Sequence, residues 1–133
     1  MTADPHRPHP RVAILADDLI WSTRLADVVR RAGAEPVPIR SAAALEGSLV
    51  GAAGCIVDLT ARAYDGIAAL RAAGRRGIPA VAVGQHDDAD LRLAAREAGA
   101  TRVYAYRALF EHGDRELGGW IAGLEAGSEE EAR

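Results

Sequence analysis

Five short extended patterns alternate with helical patterns along this chain. The extended patterns are mainly apolar and cover residues 12–16, 35–39, 55–57, 80–83 and 102–106. Runs of this length are typical of buried strands. Alternating strands and helices are expected to form right-handed crossovers and a parallel sheet that is covered on both faces. The sequence therefore predicts an α/β fold, a three-layer sandwich with a five-stranded parallel sheet and five helices.

Two prolines place the second strand. Pro36 and Pro38 lie within it and cannot donate a backbone hydrogen bond to a neighbouring strand. A strand of this kind belongs at the edge of a sheet. In the flavodoxin-like strand order 2-1-3-4-5 the second strand is the edge, so the prolines favour that order over arrangements that bury it.

Capping and stop residues bound the expected helices. Ser41 and either Asp87 or Asp88 are expected N-caps, and Gly74 and Gly99 are expected to end helices. The first four expected helices cover residues 20–32, 41–49, 64–73 and 88–98. The fifth is expected to begin at residue 108 or a little later and to end at residue 125.

Length and composition limit the domain organisation. The 133 residues are enough for one domain, which we assign to residues 11–126. Residues 1–10 contain three prolines and are expected to form a disordered tail, and residues 127–133 are expected to form a frayed acidic tail. We identify no signal peptide and no apolar run near the roughly 20 residues of a membrane span, so we expect a soluble, cytoplasmic protein without membrane contact.

Composition also argues against several functions. The formal net charge is −3 and the chain has no lysine, whereas a nucleic-acid-binding domain usually carries a basic face. The single cysteine, Cys55, lies inside the third extended pattern, where a small buried hydrophobe is expected rather than a nucleophile or metal ligand. The first strand leads into acids, which would repel a flavin phosphate. We therefore expect no nucleic-acid partner and no flavin.

Three carboxylates follow two of the expected strands. Asp17 and Asp18 close the first strand, and Asp58 closes the third. The carboxyl ends of parallel strands lie at the same sheet edge, so these acids should converge. Two carboxylates about 4 Å apart repel by roughly 4 kcal/mol at an effective dielectric of 20. The acids must therefore share protons, bind a divalent cation or hold a basic side chain, and they form the candidate functional site.

This arrangement resembles the receiver domain of bacterial two-component response regulators. Five strands, five helices, an acid pair after strand one and an acid after strand three carry the resemblance. It implies that Asp17, Asp18, Asp58 and the backbone carbonyl of Thr60 bind magnesium, which prefers oxygen ligands. It also implies that Asp58 accepts a phosphoryl group from a histidine kinase. Beyond phosphorylation and dephosphorylation of this aspartate, the resemblance implies no enzyme activity.

The chain departs from the receiver pattern near the end of the sheet. Gly84 stands where receivers place Ser or Thr after strand four. Tyr106 or, with one inserted residue, Arg107 stands where they place a lysine. Arg107 is a candidate substitute for that lysine, with the different geometry of a planar guanidinium. Ala108 replaces the proline that usually follows.

Two hypotheses follow from these matches and departures. The first is a stand-alone, atypical receiver in phosphorelay signalling, which binds magnesium, takes phosphate on Asp58 and contacts a histidine kinase or another signalling protein. The second is a pseudo-receiver that serves as a phosphorylation-independent interaction or dimerisation module. The resemblance places a candidate homodimer surface on helix four, strand five and helix five, near Tyr104 and Tyr106. It places a candidate partner surface near Trp21.

Overall fold

The structure is a computed structural model that describes the backbone of residues 9–84 and 88–131 and the side chains up to residue 124. Most of the predicted N-terminal tail and Asp87, one of the two expected caps, lie outside the described residues. Strands and helices alternate in the order β1 (Arg11–Leu15), α1 (Leu19–Arg31), β2 (Glu35–Ile39), α2 (Ala42–Leu49), β3 (Gly54–Asp58), α3 (Gly66–Arg75), β4 (Ala80–Gly84), α4 (Ala89–Glu97), β5 (Val103–Ala105) and α5 (Tyr106–Glu131).

The five strands form one parallel sheet in the order β2-β1-β3-β4-β5. This order confirms the predicted flavodoxin-like, three-layer fold. Pro36 and Pro38 lie opposite Val12 and Ile14 of β1, and the other side of β2 is the sheet edge. The edge tolerates both prolines because one side of the strand forms no ladder hydrogen bonds.

Two hydrophobic cores cover the two faces of the sheet. Leu15 and Val57 belong to the core under α2, α3 and α4, and Ile14 and Ile56 belong to the core under α1 and α5. Neighbouring strand residues alternate between the cores because successive side chains point to opposite faces. The strands are therefore apolar along their length, as a parallel sheet covered on both faces requires.

Side-chain caps begin four of the helices. The side chains of the N-cap residues each accept a hydrogen bond from the backbone N–H three residues later; these residues are Asp18, Ser41, Asp65 and Asp88. The predicted caps at Ser41 and Asp88 are confirmed. The prediction of 64–73 for the third helix is wrong at both ends, because Asp65 caps the helix and starts it at Gly66.

Two glycines with positive φ follow helices on the side of α3 and α4. Gly99 has φ 114° after α4, which confirms its predicted role as a left-handed stop. After α3 the left-handed residue is Gly77, with φ 70°, and Gly74 lies inside the helix. The third helix therefore ends later than predicted, where a turn first needs a residue without a side chain.

The last helix differs most from the prediction. α5 extends from Tyr106 to Glu131, which lies inside the segment expected to fray. Glutamate favours helices, and no proline interrupts the segment. The backbone leaves helical geometry at His112, where φ is −136° and ψ is 25°. No described helix, α5 included, combines the length and apolar character that a bilayer span requires.

Helix α5 packs closely on the middle of the sheet. A Cβ atom added at Gly54 on β3 would lie 2.6 Å from Cδ1 of Leu124 and 2.9 Å from Cη2 of Trp120. These distances are shorter than van der Waals contact. Because glycine has no Cβ atom, the side chains of α5 can approach β3 closely at this position.

Candidate functional site

The carboxyl ends of β1 and β3 lie side by side and are joined by one phenol. Leu15 pairs with Val57, so Asp58 closes β3 next to the end of β1. The hydroxyl of Tyr64 lies 2.8 Å from the carbonyl oxygens of both Leu15 and Asp58. Burial, followed by the negative charges of Asp58 and Asp17, raises the pKa of the Tyr64 phenol. The phenol therefore stays a neutral hydrogen-bond donor between the two strand ends.

Asp58 is the buried acid at this edge, with 1% of its surface exposed. Its Oδ1 accepts hydrogen bonds from the backbone N–H of Thr60 at 2.9 Å, from Oγ1 of Thr60 at 2.8 Å and from the hydroxyl of Tyr106. Its Oδ2 is buried and has no hydrogen-bond partner among the described residues. All described hydrogen bonds to this carboxylate therefore go to Oδ1, and none goes to Oδ2.

Tyr106 reaches Asp58 from the first position of α5. Its hydroxyl also lies 2.7 Å from Oγ1 of Thr60, so the two hydroxyls and the carboxylate form a connected group. Burial and then the hydrogen bond to Asp58 raise the pKa of Tyr106, while the contact with Thr60 lowers it. The net direction is upward, so Tyr106 is a neutral donor to Asp58 at neutral pH.

The Tyr106 ring is half-buried against an aromatic residue of α1. Its centroid lies 4.0 Å from that of Trp21, and the two ring planes are inclined by 30°. On α1, the guanidinium of Arg24 lies 5.4 Å from the Trp21 centroid, and it also lies 5.0 Å from the ring of Phe110 on α5. The four side chains form a continuous stack across the junction of α1 and α5.

The acid pair after β1 makes other contacts. Asp18 caps α1, and its Oδ1 accepts a hydrogen bond from the backbone N–H of Trp21 at 3.1 Å. Oδ2 of Asp17 accepts a hydrogen bond from the backbone N–H of Arg62 at 3.3 Å. Within residues 9–84 and 88–124, no three acidic, histidine or cysteine side chains are grouped so that they could hold a metal ion. The structure thus places the three aspartates at one edge without gathering their carboxylates.

The residues predicted to bind magnesium fit the ion by their donor chemistry. Carboxylates and a backbone carbonyl are oxygen ligands of the kind that magnesium prefers. The buried Oδ2 of Asp58, which lacks a partner in the described structure, is a further oxygen that a cation would satisfy. One carboxylate oxygen each of Asp17 and Asp18 accepts a backbone hydrogen bond, Oδ2 in Asp17 and Oδ1 in Asp18. Magnesium at Asp17, Asp18, Asp58 and Thr60 therefore stays a prediction.

Of the two candidates for the lysine position of the receiver pattern, Tyr106 contacts Asp58. Nε of Arg107 lies 3.5 Å from Oε1 of Glu111, and the Arg107 side chain is 83% exposed. Between the described side chains of Arg107 and Asp58 there is no hydrogen bond or ion pair. The structure thus brings Tyr106 to Asp58, and the role predicted for Arg107 stays a prediction.

Gly84 lies at the end of β4, beside the same loop. A Cβ atom added there would lie 3.7 Å from Cβ and 3.8 Å from Cδ1 of Leu59, which is ordinary contact distance. The position therefore has room for a Cβ atom, and glycine supplies no hydroxyl there. His86, which follows β4 in the sequence, lies outside the described residues.

Sequence reasoning misses the contacts of three site residues. It predicts only a position at the start of a helix for Tyr64, and it does not predict the contact between Trp21 and Tyr106. The available signal was the position of three aromatic residues just after β1, β3 and β5, since the ends of these strands meet at one edge. Their pairing depends on side-chain directions that spacing does not supply.

Comparison with solved structures identifies the fold. A response regulator from Thermotoga maritima superposes with a TM-score of 0.73 at 13% identity, over 86% of this chain and 98% of that chain. A response regulator receiver domain protein (CheY-like) from Methanospirillum hungatei JF-1 gives 0.68 at 18% identity, over 89% and 98%. A response regulator receiver domain protein from Clostridium thermocellum gives 0.72 at 14% identity, over 90% and 97%.

Neither a scan against protein-family models nor a search of curated proteins gives a match for this sequence. The structural matches are therefore findings about fold. The chain has the fold of the receiver domains of response regulators, as the sequence resemblance predicts.

Proposed function

We propose that this protein is a receiver-type signalling module that acts by binding other proteins, without transfer of a phosphoryl group to Asp58. The observation that carries the proposal is the hydrogen bond from the Tyr106 hydroxyl to Oδ1 of Asp58. A neutral phenol and the Thr60 loop already satisfy this oxygen. The carboxylate is therefore stabilised as a structural acceptor, with neutral donors occupying its Oδ1.

The chemistry around Asp58 supports the same proposal. Phosphoryl transfer depends on positive charge that neutralises the developing charge of the transferred group. Tyr106 supplies a neutral hydroxyl, and Arg107 pairs with Glu111 on the surface. Gly84 supplies no hydroxyl to follow a phosphoryl group. The residues nearest Asp58 thus favour a closed acid, meaning a carboxylate that is covered by hydrogen-bond donors, over a carboxylate that accepts a phosphoryl group.

Two surfaces are suited to protein contact. Near the site, Leu19, Ile20 and Phe110 are 66%, 65% and 70% exposed. A groove of about 260 Å³ between α1 and α5 continues this surface. We assign it to a signalling partner such as a histidine kinase, because a partner that covers these three side chains removes apolar area from water.

The second surface lies between β5 and α5. A groove of about 540 Å³ is lined there by Tyr104, Trp120 and Leu124, with Arg115 and Glu116 at its rim. Opposite charges on one surface can pair with their copies across a two-fold axis. We therefore assign this surface, with α4, to a homodimer of the chain.

A second candidate function is that of a phosphate-accepting receiver. Oδ2 of Asp58 favours it, because this buried oxygen has no partner within the described structure and would be satisfied by a cation or a covalent group. In this function Asp17, Asp18, Asp58 and the carbonyl of Thr60 would hold magnesium. The ion would offset the negative charge of the acids and of an incoming phosphate.

Mass measurement separates the two candidates. The protein is incubated with magnesium chloride and acetyl phosphate, and its intact mass is recorded beside that of an Asp58→Asn variant. The proposal predicts an unchanged mass for both proteins. A gain of one phosphoryl group in the wild type, absent from Asp58→Asn, overturns it in favour of the phosphate-accepting receiver.

A further inference from the structure

We propose that Trp21 is a positioning residue that holds the Tyr106 hydroxyl on Asp58, so that the stacked rings keep the Asp58 carboxylate covered. The inference rests on the proposed function, in which Asp58 is a closed acid. It assigns the closure to a side chain on α1 that makes no hydrogen bond to Asp58. The cover therefore depends on the packing of α1 against α5.

The Tyr106 ring packs partly against the core under α1 and α5. Tyr106 is the first residue of α5 and follows the three-residue strand β5, so little regular structure precedes it. The hydroxyl of Thr60, its second polar contact, belongs to an exposed loop residue. The Trp21 ring, with its centroid 4.0 Å away, is the aromatic contact that fixes the direction of the phenol.

Contacts to both its backbone and its ring hold Trp21 in place. Its backbone N–H bonds to the Asp18 side chain, which fixes it in the first turn of α1. Its ring carries the Arg24 guanidinium, which also lies over Phe110, one helical turn after Tyr106 on α5. Both helices thus contribute two members to the stack. This arrangement explains how a side chain on α1 can determine where a hydroxyl on α5 points.

The consequence is a competition at Oδ1 of Asp58. While the phenol is held in place, any other group must displace it to reach this oxygen. Loss of the Trp21 ring frees the phenol to rotate and leaves the carboxylate open. A smaller aromatic ring at position 21 still stacks, so Trp21→Phe should keep the cover that Trp21→Leu loses.

Carbodiimide coupling of an amine to carboxylates measures this cover directly. Trypsin cleavage after Arg40 and Arg62 releases residues 41–62, in which Asp58 and the exposed Glu46 are the acids. Labelling of Asp58 relative to Glu46 therefore corrects for reagent and recovery. Cys55, buried on the same peptide, reports any general opening of β3 through its reaction with a thiol reagent.

The expected result for Trp21→Leu is an increase in the labelling of Asp58 relative to Glu46, without a reaction of Cys55. Trp21→Leu should raise Asp58 labelling about twofold to tenfold, the range set by the loss of an aromatic pair. Trp21→Phe and the control Trp120→Phe, whose ring packs on Gly54, should stay near the wild type. Cys55 should stay unreactive in every variant. In a Tyr106→Phe background, Trp21→Leu should have little further effect, because no hydroxyl remains to be positioned.

Three results overturn the inference. The first is wild-type labelling of Asp58 in folded Trp21→Leu. The second is an equal increase from Trp21→Leu with and without the Tyr106 hydroxyl, and the third is an increase that Cys55 shares. Phosphoryl uptake by the wild type from acetyl phosphate would overturn the proposed function and leave this inference standing. The labelling experiment measures only whether Trp21 keeps Asp58 covered.

Discussion

The hydroxyl of Tyr106 donates a hydrogen bond to Oδ1 of Asp58, which lies 48 positions earlier in the chain at the end of β3. With the two Thr60 donors, it satisfies one oxygen of a buried acid without a positive charge. A buried carboxylate is costly unless it is hydrogen-bonded, so these donors stabilise the fold as well as the site.

Replacing Tyr106 by Phe should destabilise the protein. The variant removes a hydrogen bond to a charged acceptor, which is worth about 1.5–3 kcal/mol in the free energy of unfolding. Urea denaturation measures the loss. Tyr104→Phe is the matched control, because its hydroxyl donates to a neutral carbonyl, that of Glu116, at 3.3 Å. Equal losses in the two variants would contradict the special role of Tyr106.

Restoring the receiver residues should create a phosphate acceptor. Gly84→Thr adds a hydroxyl where a Cβ atom meets only ordinary contacts with Leu59, and Tyr106→Lys places a cation beside Asp58. The double variant should gain one phosphoryl group from acetyl phosphate with magnesium, as measured by intact mass. Adding Asp58→Asn should abolish the gain. A folded double variant with unchanged mass would show that these two positions do not account for the closed site.

The close approach of α5 to the sheet predicts opposite effects for two glycines. Gly54→Ala forces Leu124 or Trp120 to move and should lower the free energy of unfolding by about 1–3 kcal/mol. Gly119→Ala, in the same helix and with nothing within 4 Å, should raise it by about 0.5–1 kcal/mol. Thermal or urea unfolding checks both signs. A neutral Gly54→Ala would mean that α5 lies farther from β3.

Burial of Cys55 predicts a loss of stability at alkaline pH. Burial raises the pKa of its thiol from 9.0 to about 12. A folded pKa above the unfolded one contributes stability that is complete below pH 9 and is lost as the pH rises toward 12. Unfolding measurements from pH 8 upward should therefore show the wild type losing its advantage over Cys55→Ala. A pH-independent difference between the two proteins would contradict a buried thiol.

The sheet could be predicted because its signals are local. Pro36 and Pro38 place β2 at the edge, and the apolar patterns reflect strands covered on both faces. Helix ends were less predictable, because Tyr106 reads as a strand residue until tertiary contacts place it in the first turn of α5. Sequence alone does not determine at which residue a short strand ends and the following helix begins.

The site could be predicted only in part, because the charges of the acids do not indicate which neutral groups will donate hydrogen bonds to them. The sequence places Asp58 near the end of β1, and the structure agrees. Shared protons, a cation or a basic side chain were the expected solutions, and none of them included a neutral phenol. Tyr106 and Thr60 satisfy Asp58 through hydroxyl and amide donors, which depend on side-chain direction.

A double-mutant cycle between Tyr106 and Asp58 tests the central contact most directly. The free energy of unfolding is measured for the wild type, Tyr106→Phe, Asp58→Ala and the double variant. The hydrogen bond predicts a coupling energy of about 1.5 kcal/mol or more between the two positions. Additive effects, with a coupling energy within about 0.5 kcal/mol of zero, would show that the phenol does not hold the acid.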